Sequence, residues 1–99
     1  MSYAFLPNLF YIPRQLTVMI EAGTREKGDV FVTIEDIDER RIIVKSKLER
    51  LYGDAIRATV EELTRELNAK IVVEDFGALD WVLRARLEAA IRKYRGEGI

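Results

Sequence analysis

The feature that most constrains the fold is a change in hydrophobic period halfway along the chain. Residues 16–45 hold three short apolar segments, and in two of them apolar and polar side chains alternate, as half-buried β-strands require. From Leu48 onward apolar residues recur every three or four positions, which is the period of an amphipathic helix. Since each element must bury its own apolar face, this switch predicts an α+β domain.

Four strands are predicted, at residues 16–21, 30–35, 41–45 and 70–74. In the first, Leu16, Val18 and Ile20 point to one face of the sheet. Residues 22–29 contain two glycines and are predicted to be a loop. The short connections among the first three strands predict an antiparallel meander with one covered face.

Two helices complete the pattern. Ser46 and Glu49 have the spacing of a capping box, which predicts a helix that starts there and extends to about Asn68. A second helix follows Gly77 and ends near Gly96. The predicted buried stripes are Leu48, Leu51, Tyr52, Ala55, Ile56, Val60, Leu63 and Leu67, and then Leu79, Val82, Leu83, Leu87, Ala90, Ile91 and Tyr94. The order β-β-β-α-β-α predicts a two-layer sandwich, with one four-stranded mixed sheet and both helices on the same face.

Residues 1–14 are predicted to be an aromatic arm, and residues 15–99 a single domain. The arm includes Phe5, Phe10 and Tyr11 and has no regular period, so it either packs over the domain's own core or docks on a partner. It has no basic start typical of a signal peptide, and no apolar run reaches the ~18–20 residues that span a bilayer. We therefore expect a cytoplasmic protein that does not contact membranes.

Composition excludes most enzyme classes. The 99 residues include no cysteine and no histidine, which removes the usual nucleophile–base pairs and the usual zinc ligands. Paired carboxylates such as Glu74 and Asp75 are interpreted as solvated surface, so we predict no catalytic residue and no metal site. A formal net charge of −1 gives no field that would attract nucleic acid.

The last helix carries the candidate docking residues Trp81, Arg84 and Arg86. Trp81 lies off the apolar stripe of its helix, so it is either exposed at a contact surface, where tryptophan is enriched, or packed under the N-terminal arm. The arginines belong either to an ordinary wet helix face or to a surface that meets a phosphate or a subunit. Both interpretations stay open at the level of sequence.

Three segments together resemble the acyl carrier protein, or gamma chain, of citrate lyase. They are AGTREKGDV at residues 22–30, YGDAIR at residues 52–57 and FGALDWVLRARLEAA at residues 76–90. The resemblance implies a non-catalytic subunit, oligomeric within a complex that also contains lyase and acyl-transferase subunits. It further implies a phosphoribosyl-dephospho-coenzyme A arm on a serine of the first segment. Tethering a thioester in this way raises its effective concentration at two active sites.

The chain departs from the family at the position of that serine, which is occupied by Lys27. An amine cannot form the family's phosphodiester. The candidate site is therefore the loop that includes Gly23, Thr24, Lys27, Gly28 and Asp29. The first hypothesis is an interaction subunit with no covalently bound cofactor, in which Lys27 and Arg25 can meet the phosphates of a free coenzyme A thioester. The alternative is a true acyl carrier, with the arm attached at an unusual residue of the loop, for which Thr24 is the candidate.

Overall fold

The computed structural model describes residues 18–47 and 49–96, without the side chains of residues 49–51. The predicted arm, with Phe5, Phe10 and Tyr11, lies outside the described residues. So does Leu16, the predicted start of the first strand.

The elements follow the predicted order. They are β1 (Met19–Gly23), β2 (Val30–Glu35), β3 (Arg41–Ser46), α1 (Glu49–Leu63), β4 (Lys70–Asp75) and α2 (Asp80–Tyr94). The four strands form one mixed sheet, which confirms the predicted α+β class. Neither described helix is long and apolar enough to cross a membrane.

The order of strands across the sheet is β1-β2-β4-β3, so the predicted meander is wrong. β1 and β4 both pair antiparallel with β2, whereas β3 pairs parallel with β4. A parallel neighbour requires a crossover connection, and α1 supplies it between β3 and β4. β4 thereby takes the place beside β2 that a meander would give to β3.

The core lies between one face of the sheet and the two helices. Val32 and Ile34 of β2 and Ile71 and Val73 of β4 have no exposed surface. Helix α2 packs on β1 and β2, α1 packs on β3, and the two helices contact each other. Both helices therefore cover the same face of the sheet, as predicted.

Helix α1 ends at Leu63, earlier than the predicted Asn68. The carbonyl of Val60 accepts both the amide of Thr64, at 3.0 Å, and its hydroxyl, at 2.6 Å. The guanidinium of Arg40 then donates to the carbonyl oxygens of Thr64 and, at 2.9 Å, Leu67. Arg40 thus ties down the segment that follows the end of the helix.

Several side chains lie elsewhere than the sequence pattern predicts. Val18 is 50% exposed and precedes β1, although the alternation places it in the core. Tyr52 and Leu79 belong to the predicted buried stripes but are 53% and 64% exposed. Asp75, interpreted as solvated, is buried. The exposure of Trp81, 68%, agrees with its predicted position off the stripe.

Candidate functional site

The candidate site is built on the connection between β1 and β2, which we call the site loop (residues 23–29). The amide of Asp29 donates to the carbonyl of Glu26 at 3.0 Å, which closes a four-residue turn around Lys27 and Gly28. Gly28 has a φ of +85°, the left-handed region that the third position of a type II turn requires. Lys27 therefore occupies the apex of a tight turn.

Gly23 is required at the start of the loop for two reasons. Its φ is +90°, and a Cβ built there would lie 1.9 Å from the carbonyl oxygen of Val30. The same carbonyl accepts the amide of Thr24 at 3.2 Å, so the two strands close directly beneath the loop. A side chain at position 23 would push these strands apart.

The site loop is also fixed to the connection between β4 and α2. The amide of Gly28 donates to the carbonyl of Phe76 at 2.7 Å, and the amide of Phe76 donates to the carbonyl of Asp29 at 3.0 Å. These two bonds hold the turn from the side, in addition to the bonds beneath it. The position of Lys27 is thus set by two separate parts of the chain.

Asp75 shapes this second connection. Its Oδ1 accepts the amides of Gly77 and Ala78, and its Oδ2 accepts the hydroxyl of Ser46 at 3.0 Å. Asp75 therefore stabilises the turn that precedes α2, and the N-cap of that helix, Leu79, makes no side-chain cap bond. The partner of Ser46 in the predicted capping box, the side chain of Glu49, lies outside the described residues.

Asp29 is the hub of the site loop. Its Oδ1 accepts the amide of Val30 at 2.7 Å and the Nε of Arg86 at 3.0 Å. Its Oδ2 accepts the hydroxyl of Thr24 at 2.7 Å and the Nη2 of Arg86 at 2.9 Å. Hydrogen bonds from Arg86, then from Thr24 and the Val30 amide, hold the pKa of the Asp29 carboxyl well below its usual range.

The hydroxyl of Thr24 is used within the loop. It donates to Asp29 and accepts the amide of Glu26 at 3.2 Å. Both its proton and one of its lone pairs therefore stabilise the turn. An arm attached to this oxygen would remove the bond to Asp29.

Lys27 is different from its neighbours, because it is exposed and has no recorded hydrogen bond or ion pair to the described part of the chain. Two grooves flank it. One, of about 480 Å³, lies between the site loop and the turn after β3, and the other, of about 470 Å³, lies between the site loop and α2. Arg25, in the first groove, is held by Glu74 at 3.2 Å and lies over the ring of Phe31 at 4.2 Å.

The predicted docking residues of α2 have different surroundings. Trp81 is exposed and lines the same groove as Lys27. Arg86 clamps the site loop through Asp29, and Arg84 pairs with Asp80 at 2.8 Å. Docking by these three residues stays a prediction, as does docking by the aromatic arm.

Sequence reasoning missed part of the surface beside the loop. Tyr52 and Leu79 line a third groove, of about 440 Å³, between the starts of the two helices. Their exposure could not be read from helical periodicity, which assigns both to a buried stripe. Asp29 and Arg86 were singled out separately, but 57 residues separate them and no local pattern links them.

The fold and the site define a small α+β domain whose prominent feature is a tight, hydrogen-bonded loop that presents one lysine. A family model described as "ACP: Malonate decarboxylase delta subunit (MdcD)" matches residues 18–94, so the chain belongs to this acyl carrier family. Among curated proteins it is 39% identical over 88 residues to citrate lyase acyl carrier proteins of three Haemophilus influenzae strains, Rd, 86-028NP and PittGG. Each match covers 86% of this chain and 93% of the relative. No solved structure gives a significant match.

Proposed function

We propose that this chain is a non-catalytic subunit of a citrate-lyase-type complex that works in the cytoplasm without the family's serine-linked arm. The observation that carries the proposal is Lys27, which stands at the apex of the site loop where the resemblance expects the serine. An amine cannot form the phosphodiester through which that arm is attached. The chain then contributes a surface to the complex and carries no acyl group itself.

The other hydroxyl groups near the apex support the same conclusion. Thr24 stabilises the turn through two hydrogen bonds, and the hydroxyl of Ser46 donates to Asp75. Attachment at Thr24 would also move the root of the arm from the apex of the turn to its base, where Thr24 bonds to Val30. The residues of the described loop therefore do not fit a phosphodiester-linked arm.

The surface that we expect to meet the partners surrounds the site loop. Trp81, Leu79 and Tyr52 are large, apolar and more than half exposed. The groove lined by Trp81 adjoins the site loop, and the groove lined by the other two adjoins the turn after β4. Tryptophan and tyrosine anchors are typical of protein interfaces. The occupants that we propose are the lyase and acyl-transferase subunits of the complex.

The alternative function is a true acyl carrier whose arm is attached at Thr24. It draws support from the relatives, which are named citrate lyase acyl carrier proteins. It requires that modification break the bond between Thr24 and Asp29 and leave the loop folded.

Intact-mass spectrometry of the protein from its native host separates the two functions. We expect the chain isolated from an active complex to have the unmodified mass. The Thr24→Val variant should also be incorporated into that complex. An adduct of the size of a nucleotide-thiol arm, mapped to Thr24 by peptide analysis, would establish the carrier and remove our proposal.

Co-purification tests the interaction surface. The wild-type chain should recover lyase and transferase subunits, and Trp81→Ala should recover several-fold less, because interface tryptophans are frequent hot spots. Arg92→Ala, an exposed change near the other end of the same helix, is the matched control. Recovery of the wild-type chain alone would contradict the proposed role.

A further inference from the structure

The groove between the site loop and the turn after β3 has a distinctive distribution of charge. Three cationic side chains line it: Arg25 and Lys27 from the site loop and Lys47 from the turn. Lys47 also lines an adjoining groove of about 260 Å³, together with Lys45 of β3. Cations from two separate parts of the chain therefore line the first groove.

The two lysines of this groove are not neutralised by the described part of the chain. Neither Lys27 nor Lys47 has a recorded hydrogen bond or ion pair to the described residues. The acidic side chain in the lining, Asp75, is buried and already accepts bonds from Ser46 and from two backbone amides. The positive charges of the two lysines are thus available to an anion from outside.

Arg25 plays a different part in the same groove. Its guanidinium donates to both carboxylate oxygens of Glu74, at 3.3 and 3.2 Å, and Glu74 raises its pKa. The planar guanidinium group, whose paired N–H donors suit a carboxylate ligand, is therefore already occupied by Glu74. Lysine acts as a point charge and is a common phosphate ligand, so the free cations favour phosphate oxygens over carboxylates.

From this arrangement we propose that the groove binds the diphosphate group of a small molecule, with Lys27 and Lys47 each meeting one phosphate. The volume of about 480 Å³ falls in the range of small-molecule sites and exceeds what one phosphate needs. Two cations contributed by two different turns match two linked phosphates better than one. The proposal goes beyond the proposed function and does not depend on the partner subunits.

Calorimetric titration of the purified full chain tests the proposal, with inorganic pyrophosphate, inorganic phosphate and citrate as probes. We expect pyrophosphate to bind more tightly than either of the other anions, with an affinity that falls as salt is added. Lys27→Gln and Lys47→Gln should each weaken pyrophosphate binding by roughly fivefold to tenfold, since each removes one exposed charge-assisted contact. Lys27→Arg, which keeps the charge, should retain most of the affinity.

The matched control is Arg92→Gln, which removes one positive charge from an exposed position on α2. Its affinity for pyrophosphate should equal that of the wild type. Equal losses of pyrophosphate affinity in Arg92→Gln and Lys27→Gln would overturn the proposed binding site, because the effect would then come from net charge alone. Absence of pyrophosphate binding at millimolar concentration, or tighter binding of citrate, would overturn it as well. None of these results would bear on the mass and co-purification tests above.

Discussion

Replacement of Asp29 by alanine offers the most direct test of how the site loop is held. The substitution removes four hydrogen bonds, from Thr24, the Val30 amide and two nitrogens of Arg86. Val30 is fully buried, so loss of a partner for its amide should cost about 1–3 kcal/mol. The pair with Arg86, whose side chain is 42% exposed, adds at most about 1 kcal/mol after solvent screening.

The expected loss for Asp29→Ala is therefore about 1–4 kcal/mol in the free energy of unfolding. Urea denaturation followed by circular dichroism would measure it, and for a domain of this size each 1 kcal/mol corresponds to about 4–8 °C in Tm. Asp29→Asn keeps an oxygen for the Val30 amide and should lose only about 1 kcal/mol. Asp54→Asn, an exposed change in α1 at a residue with no recorded contact, is the control.

The pH dependence of stability tests the same hub. Because the pKa of Asp29 is lowered in the folded state, the unfolded chain binds more protons in acid, and stability rises with pH. The contribution of Asp29 should be complete above about pH 5 and should be lost progressively as pH falls below the unfolded pKa, near 3.9. Asp29→Asn should flatten this part of the profile, and Asp54→Asn should not. A loss below about 1 kcal/mol in Asp29→Ala, or an unchanged acid profile in Asp29→Asn, would refute the reasoning.

Further predictions concern the glycines of the loop and the end of α1. Gly23→Ala should abolish folding or nearly so, since its Cβ would lie 1.9 Å from a carbonyl oxygen of β2. In Gly28→Ala the new Cβ has no atom within 4 Å, so the only penalty is that of holding alanine in the left-handed conformation. The free energy of unfolding should fall by about 1–2 kcal/mol, measured by thermal denaturation. Equal losses in the two variants would contradict this assignment. Arg40→Ala should cost about 1–2 kcal/mol because the carbonyls of Thr64 and Leu67, just after α1, lose the guanidinium donor. Arg41→Ala breaks only the exposed ion pair with Glu39 and should cost under about 1 kcal/mol. A larger loss in Arg41→Ala than in Arg40→Ala, measured by urea denaturation, would contradict the role given to Arg40.

Local patterns in the sequence were enough to predict the elements and the turns of this protein. Hydrophobic period is a local property, so it located four strands and two helices within a few residues. The glycines of the site loop were recognised as turn residues for an equally local reason, since they adopt positive φ without strain. The two-layer arrangement followed because each element has one apolar face to bury.

The tertiary structure supplies what local patterns lack. It sets the order of the strands, because pairing of β4 with both β2 and β3 depends on the crossover through α1. It also decided the surroundings of Lys27. The clamp from Arg86 to Asp29 and the approach of Lys47 to the site loop join residues far apart in sequence. Tyr52 and Leu79 became surface because they lie at the starts of their helices, where no described side chain covers them. Contacts across such distances arise only when the sheet is assembled, and a local pattern does not contain them.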